Sequence, residues 1–277
     1  MITTFDHVTV AVRDVDAAVE AYERLTGSPP SWRGGHPDSG TVGALFSLGN
    51  AVIELTGPGR DPEAAAGLVD WLDARGEGMQ ALAFGTNDAS ACVAALKAKG
   101  VRAAPPQEGE ARGDDGGVRR YRSADLSPRS TRGLAVVVVE REGPSLLASG
   151  APADGAEALD HVMFRTADPE AAIALYGGAL GIRLALDQVY GATRHIFFRV
   201  AKVTLEVIAD ESAGPADVFG GFALRTRDVE AMHARLRAGG VNVSDVRDGR
   251  KAGTRVFTVR GGTCGVPVLV IRDPSRD

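Results

Sequence analysis

The sequence predicts an α+β fold of four βαβββ modules arranged as two similar halves. Three observations carry this prediction. Residues 7–14, 81–88, 161–168 and 221–228 share one pattern, a short alternating strand that closes on an Asp. A Gly follows each Asp about a dozen residues later, at Gly27, Gly100, Gly181 and Gly239 with Gly240. Strand-like runs then follow each Gly, so each repeat reads as one strand, one helix and about three strands.

In the first module Val8, Val10 and Val12 alternate with polar or small residues, which marks a half-buried strand. Asp14 sits where a helix N-cap belongs, because its carboxylate can accept from the first free backbone N–H groups. Val15, Val19, Tyr22 and Leu25 follow at helical spacing, and Gly27 suits a left-handed helix end. Strands are expected at residues 44–48 and 51–55. A short helix over residues 62–74 bridges to the second module, which alternates at Leu82 and Phe84, caps at Asp88, and runs through Val93 and Leu96 to Gly100, with a strand at 134–139. The third module alternates at Val162 and Phe164, caps at Asp168, and carries strands at 196–200 and 203–208. The fourth alternates at Phe222 and Leu224, caps at Asp228, and ends on strands at 255–259 and 266–271.

Modules one and three share a His in the first strand, a Tyr late in the helix (Tyr22, Tyr176) and a Glu in the last strand (Glu54, Glu206). Modules two and four share a basic helix end instead. The chain therefore reads as a duplicated pair. Domain 1 is expected over 1–144, with modules 1–57 and 78–144. A Gly/Ala/Pro-rich linker follows at 145–157, and domain 2 covers 158–277, with modules 158–212 and 218–274. At this length each domain is expected to bury its own core.

Hydrophobic residues make up 44% and charged residues 24%, the balance of a globular protein, and the net charge of -5 gives no footprint for nucleic acid. No apolar run reaches membrane-spanning length and no signal peptide is visible, so a cytoplasmic protein without a membrane partner is expected. Cys92 and Cys264 are too few for a disulfide framework or a thiolate metal cage, and both read as structural.

The opening strands, Phe5-Asp6-His7-Val8 onward and Leu159-Asp160-His161-Val162 onward, resemble those of the vicinal-oxygen-chelate superfamily. This group includes glyoxalase I, extradiol dioxygenases, fosfomycin-resistance enzymes and bleomycin-binding proteins. The Gly-rich stretch 34–41 is similar to its glyoxalase-like branch. The resemblance spans nearly the whole chain. It implies two U-shaped, eight-stranded mixed sheets with flanking helices, each built from a pair of modules. It also implies metal ligands on the concave side, where His7, Glu54, His161 and Glu206 match ligand places. The matching places in modules two and four hold Ala81, Gly221, Leu269 and either Val137 or Val138, which leaves two ligands per half. Pairing of module one with module three, within a chain or across a dimer, would gather all four.

Two further sets of residues bear on the site. A two-residue turn at Ala201 and Lys202 would set Val200 against Val203 and Phe197 against Glu206, which brings His195 to the same face as Glu206. His161, His195 and Glu206 would then form a two-imidazole, one-carboxylate set. The alternative role of His195 is contact with substrate. His36 could act likewise beside His7 and Glu54, from a loop whose path the sequence does not define. Arg165 and Arg225, at matching places in the second half, are candidates to bind a carboxylate or phosphate. Trp32, Trp71, Tyr121 and Tyr190 could wall a pocket, and His233 is expected on an exposed helix face.

The resemblance leaves three function classes open: a metal-assisted lyase, isomerase or dioxygenase, a metal-free binder such as a drug-sequestering protein, and a scaffold for assembly. We favour an enzyme acting on a small oxygenated molecule, with an anionic one among the options, and with Glu54 or Glu206 moving between ligand and base. The implied cofactor is a divalent ion (Ni, Zn, Fe or Mn), and its absence is left equally open. The expected partner is a small-molecule substrate or ligand, with the chain as monomer or homodimer.

Overall fold

The computed structural model describes residues 1–276. The first half opens with Thr4–Ala11 (β1) and Val15–Thr26 (α1), followed by Trp32–His36 (β2), Thr41–Ser47 (β3) and Val52–Pro58 (β4). Ala66–Arg75 (α2) leads to Gly78–Gly85 (β5), Ala89–Ala98 (α3), Gln107–Gly113 (β6), Val118–Leu126 (β7) and Ala135–Arg141 (β8). The second half holds Ala158–Thr166 (β9), Pro169–Ile173 (α4), Arg183–Tyr190 (β10), Thr193–Val200 (β11) and Val203–Ala209 (β12). Val218–Arg225 (β13), Val229–Ala238 (α5), Arg247–Asp248 (β14), Arg255–Val259 (β15) and Val268–Arg272 (β16) complete it.

The helix signals act as their chemistry requires. Asp14, Asp88, Asp168 and Asp228 each accept a backbone N–H three residues on, at 2.8 to 3.0 Å. Gly27 ends α1 in the left-handed region at φ 79 and donates its N–H to the Glu23 carbonyl. The alternating strand residues fall on the helix side of the sheets, where Val8, Val10, Leu82, Phe84, Val162, Phe164 and Leu224 are fully buried.

Both halves pair their two modules through first strands, β1 antiparallel to β5 and β9 antiparallel to β13. Module one and module three therefore stand in separate sheets, and the arrangement that would gather His7, Glu54, His161 and Glu206 is not made within the chain. The two sheets differ at their ends. In the first half the order β1-β4-β3-β2-β6-β7-β8-β5 closes into a barrel, because β2 pairs with β6 through Gly34 opposite Gly113 and Gly35 opposite Arg112. A Cβ on Gly34 would stand 2.1 Å from the Arg112 carbonyl oxygen, so this close approach needs a glycine. The second half keeps the open order β10-β11-β12-β9-β13-β16-β15-β14.

The expectation of one core per half is corrected. Buried residues from both halves form one continuous cluster that includes Val8, Tyr22, Phe84, Phe164, Tyr176 and Val270. The helices meet across the halves: Arg235 of α5 donates to the carbonyls of Arg24 and Leu25 at the end of α1, and Lys99 after α3 donates to the Gly178 carbonyl. Each helix layer covers its own sheet and also packs on the other half. No helix or strand lies between Arg141 and Ala158.

Candidate functional site

In the first half, the residues of β1 that face away from the helices point into the barrel, and His7 is among them. Its Nδ1 lies 2.6 Å from Asp6 Oδ1 and its Nε2 lies 3.0 Å from Glu54 Oε2. Glu54 is on β4 opposite Thr9, two residues along β1 from His7. The other Glu54 oxygen, Oε1, lies 3.4 Å from Nε2 of His36, whose Nδ1 meets the Tyr121 hydroxyl at 3.0 Å. One carboxylate thus bridges the Nε2 atoms of two imidazoles, and each imidazole is backed on Nδ1 by a second group. Arg141, at the end of β8, grips Asp6 through Nε and Nη2. Arg119, on β7, lays its guanidinium 4.6 Å over the Trp32 ring, and its Nη1 is buried without a hydrogen-bond partner.

The charges in this cluster are strongly coupled. Burial pushes the His7 imidazole down, but the Glu54 and Asp6 carboxylates overcome it and hold the pKa up at about 9. Burial would raise the Glu54 carboxyl, yet His7 and His36 hold it well below the ordinary carboxylate range. Asp6 is likewise held down, against burial, by His7 and Arg141. Burial, then Arg141, lowers Arg119, and burial followed by Glu54 raises the Tyr121 phenol.

The second half repeats part of this arrangement. The β11–β12 hairpin sets Val200 opposite Val203 and Phe197 opposite Glu206, and His195 Nδ1 lies 2.7 Å from Glu206 Oε1. His161 Nε2 is 3.3 Å from Glu206 Oε2, and its Nδ1 is 2.9 Å from Asp160. His195 differs from His36 in turning Nδ1 rather than Nε2 to the carboxylate, and Arg250 approaches its outward Nε2 at 3.1 Å. A guanidinium only donates, so Nε2 is the acceptor and Nδ1 carries the proton given to Glu206.

These donors fit a divalent ion unequally. In the first half two Nε2 atoms and a carboxylate converge, and Asp6 and Tyr121 supply the outer partners that orient ligating imidazoles. In the second half a cation already occupies the outward nitrogen of His195. Among the described residues no group of three or more His, Cys, Asp or Glu is arranged so that it could hold a metal ion. The first-half donors are instead closed on one another by hydrogen bonds.

The remaining sequence candidates are placed apart. The register puts Arg165 opposite Val218 and Arg225 opposite Ala158, at opposite ends of the paired strands β9 and β13. Arg165 pairs with Asp210 at 3.0 Å and Arg225 with Glu157 at 2.6 Å, so the two do not share a ligand. Module two presents Val137, which pairs with Ala83, at the place that Glu54 takes in module one. Trp32 and Tyr121 stand beside His36, and Tyr190 stands edge-on to His195 at 5.3 Å, whereas Trp71, on α2, packs against Ala11, Leu68 and Leu72. His233 is half-buried rather than exposed, edge-on to Phe257 and bonded to the Ser244 carbonyl.

Asp6, Asp160, Arg119, Arg141 and Arg250 were not among the sequence candidates. The repeated Asp-His pair at 6–7 and 160–161 was a signal for the first two. The alternation of Arg119 with Tyr121 on one strand face was a signal for the third. A cavity of ≈ 380 Å³, lined by His36, Arg60, Asp61 and Arg112 among others, adjoins the first-half cluster.

The family model described as the Glyoxalase-like domain matches residues 5–180, and that of the Glyoxalase/Bleomycin resistance protein/Dioxygenase superfamily matches residues 158–276. No match is found among curated proteins. Among solved structures the chain is similar to a triple mutant of 4-hydroxymandelate synthase from Streptomyces coelicolor, with a TM-score of 0.71 and 16% identity over 98% of this chain and 92% of that one. It is also similar to a hypothetical protein from Staphylococcus aureus, with a TM-score of 0.64 and 10% identity over 98% of both chains. Methylmalonyl-CoA epimerase from Mycobacterium tuberculosis is 30% identical over 52% of this chain and 91% of its own, with a TM-score of 0.43. At the identities of the first two, the likeness speaks to fold alone.

Proposed function

The chain belongs to the glyoxalase-like family, and from that premise we propose that it is an enzyme acting on a small, oxygenated, anionic molecule in the first-half barrel. Its divalent ion would be held by His7, His36 and Glu54. One observation carries this reading: the Nε2 atoms of His7 and His36 meet the two oxygens of one carboxylate, and each Nδ1 is already engaged by Asp6 or Tyr121. A bound ion would supply Lewis-acid polarisation of neighbouring substrate oxygens.

The other roles belong to the chain's own groups. Arg119 offers a buried N–H without an acceptor, which suits a negatively charged substrate oxygen. The cavity beside His36 is the route by which substrate would reach it. Glu54 is held so low that it is a good ligand and a weak base, so proton abstraction is not assigned to it in this state. Tyr121, raised by burial, stays a neutral hydrogen-bond partner of His36.

A second reading, a metal-free binder, is favoured by the closed hydrogen bonds and by the proton held on His7. Elemental analysis separates the two, on protein purified without chelator or a metal-binding tag and then titrated with Ni, Zn, Fe or Mn. The expected result is one ion per chain, lost in His7→Ala and His36→Ala and kept in His195→Ala. An unmodified chain that takes up no ion would leave the binder as the reading.

A further inference from the structure

Where the two halves join, a cavity of ≈ 600 Å³ lies outside the barrel. It is lined by Gly49 and Asn50 from the β3–β4 turn, by the linker at Ala148, Ser149, Gly150 and Ala151, and by strand ends and a turn of the second half. The latter bring Lys202, Arg225, Arg227 and Arg272 to one space, with Glu157 as the single carboxylate among the lining residues.

Lys202, Arg225 and Arg227 gathered around the one Glu157 carboxylate repel one another, and an arrangement of this kind is stabilised by a bound polyanion. The Glu157 carboxylate takes Arg225 Nε at 2.6 Å and Arg227 Nε at 3.0 Å. The Arg225 side chain is only 18% exposed, and its two terminal Nη groups have no acceptor among the described residues. Lys202 has no carboxylate partner among them either. The backbone N–H groups of Ser149, Gly150 and Ala151 make no hydrogen bond within the described chain.

Hydrogen bonds across the junction hold part of the walls in place: the Gly49 N–H donates to the Glu157 carbonyl at 2.8 Å, the Asn50 side-chain Nδ2 donates to the Leu159 carbonyl at 2.8 Å, and the Ala148 N–H donates to the Leu48 carbonyl at 3.0 Å. These bonds fix Glu157, which carries Arg225 and Arg227, so the two guanidinium groups are placed before a ligand arrives.

We infer that this junction cavity binds a multiply charged small anion, an oligophosphate or a polycarboxylate, through Arg225, Arg227, Lys202 and the linker amides. The volume exceeds that of a single phosphate and suits a compact organic or condensed anion. The site is independent of the barrel cluster, because none of its lining residues is a member of that cluster.

The test is calorimetric titration of the full-length chain with inorganic pyrophosphate and, separately, with citrate, whose comparison tells phosphate from carboxylate chemistry. One anion per chain is expected. Lys202→Met and Arg227→Met should each weaken binding by about tenfold or more. Arg237→Met, an exposed cation elsewhere on α5, and His36→Ala should leave it unchanged. Lys202 is exposed, so its variant tests the site without threatening the fold. Absence of binding of both anions, or equal weakening by Arg237→Met, would overturn the assignment. Loss of metal in His36→Ala with anion binding intact would keep this inference separate from the proposed enzyme.

Discussion

Tyr22 and Tyr176 hold the same place in modules one and three, and both are fully buried, yet their hydroxyls fare differently. The Tyr22 hydroxyl donates to the Thr263 carbonyl at 3.3 Å, across to the fourth module. The Tyr176 hydroxyl is buried without a partner, with its ring between Phe164 and Phe198. An unsatisfied hydroxyl costs stability that a phenyl ring of the same shape would not. Tyr176→Phe should therefore leave the urea midpoint unchanged or raise it, by up to about 1 kcal/mol at constant m-value. Tyr22→Phe should lower it by about 0.5–1.5 kcal/mol. A clear loss in Tyr176→Phe would show that its hydroxyl has a partner. At the same scale, His195 was legible because a two-residue hairpin fixes register, and with it the face of every residue. His36 could be named beside His7 and Glu54 but not placed, since its position depends on the close approach of β2 to β6, strands about seventy residues apart in the chain, which no local pattern encodes.

The strands show how one module plan gives a barrel and an open sheet. Closure needs two backbones to meet without side chains between them, and Gly34 opposite Gly113 provides that. In the second half β14 is only two residues long, and β10 is left at an edge with Leu184, Leu186 and Val189 exposed. The sequence gives the glycines at 34 and 35 but not the partner they meet, so the repeat pattern indicated two alike sheets. Gln107–Gly113 is the strand that closes the barrel, and its Gly- and charge-rich sequence carries little apolar alternation to mark it as one. Gly34→Val should push β2 away from β6, lower stability by more than about 2 kcal/mol, and displace His36 from Glu54. Gly67→Ala, with open space around its Cβ, is the matched control and should not destabilise. Faster amide exchange confined to β2 and β6 would locate the damage, and unchanged protection there would rule out closure by this glycine.

The whole molecule is where the sequence reading needed most correction, and the reason is physical. A repeat tells which residues face a helix layer, but it does not tell whether that layer belongs to one sheet or is shared by two. Here it is shared. The core cluster runs through both halves, and Arg132, which reaches Asp217 and Thr166 at 3.0 Å each, ties the second module to the second half. Separated halves would expose apolar surface that the intact chain buries, so the halves should not unfold independently. Calorimetry on the full chain should give one transition whose van't Hoff and calorimetric enthalpies agree. A broad-specificity protease should cut first between 145 and 156, where no helix or strand restrains the backbone, and the two fragments should still elute together under native conditions. Two resolved transitions, or fragments that separate without denaturant, would mean that each half has a core sufficient to itself, as the domain lengths alone had suggested. Co-eluting fragments with a single transition would instead identify the shared helix layer as what holds the duplicated halves in one cooperative unit.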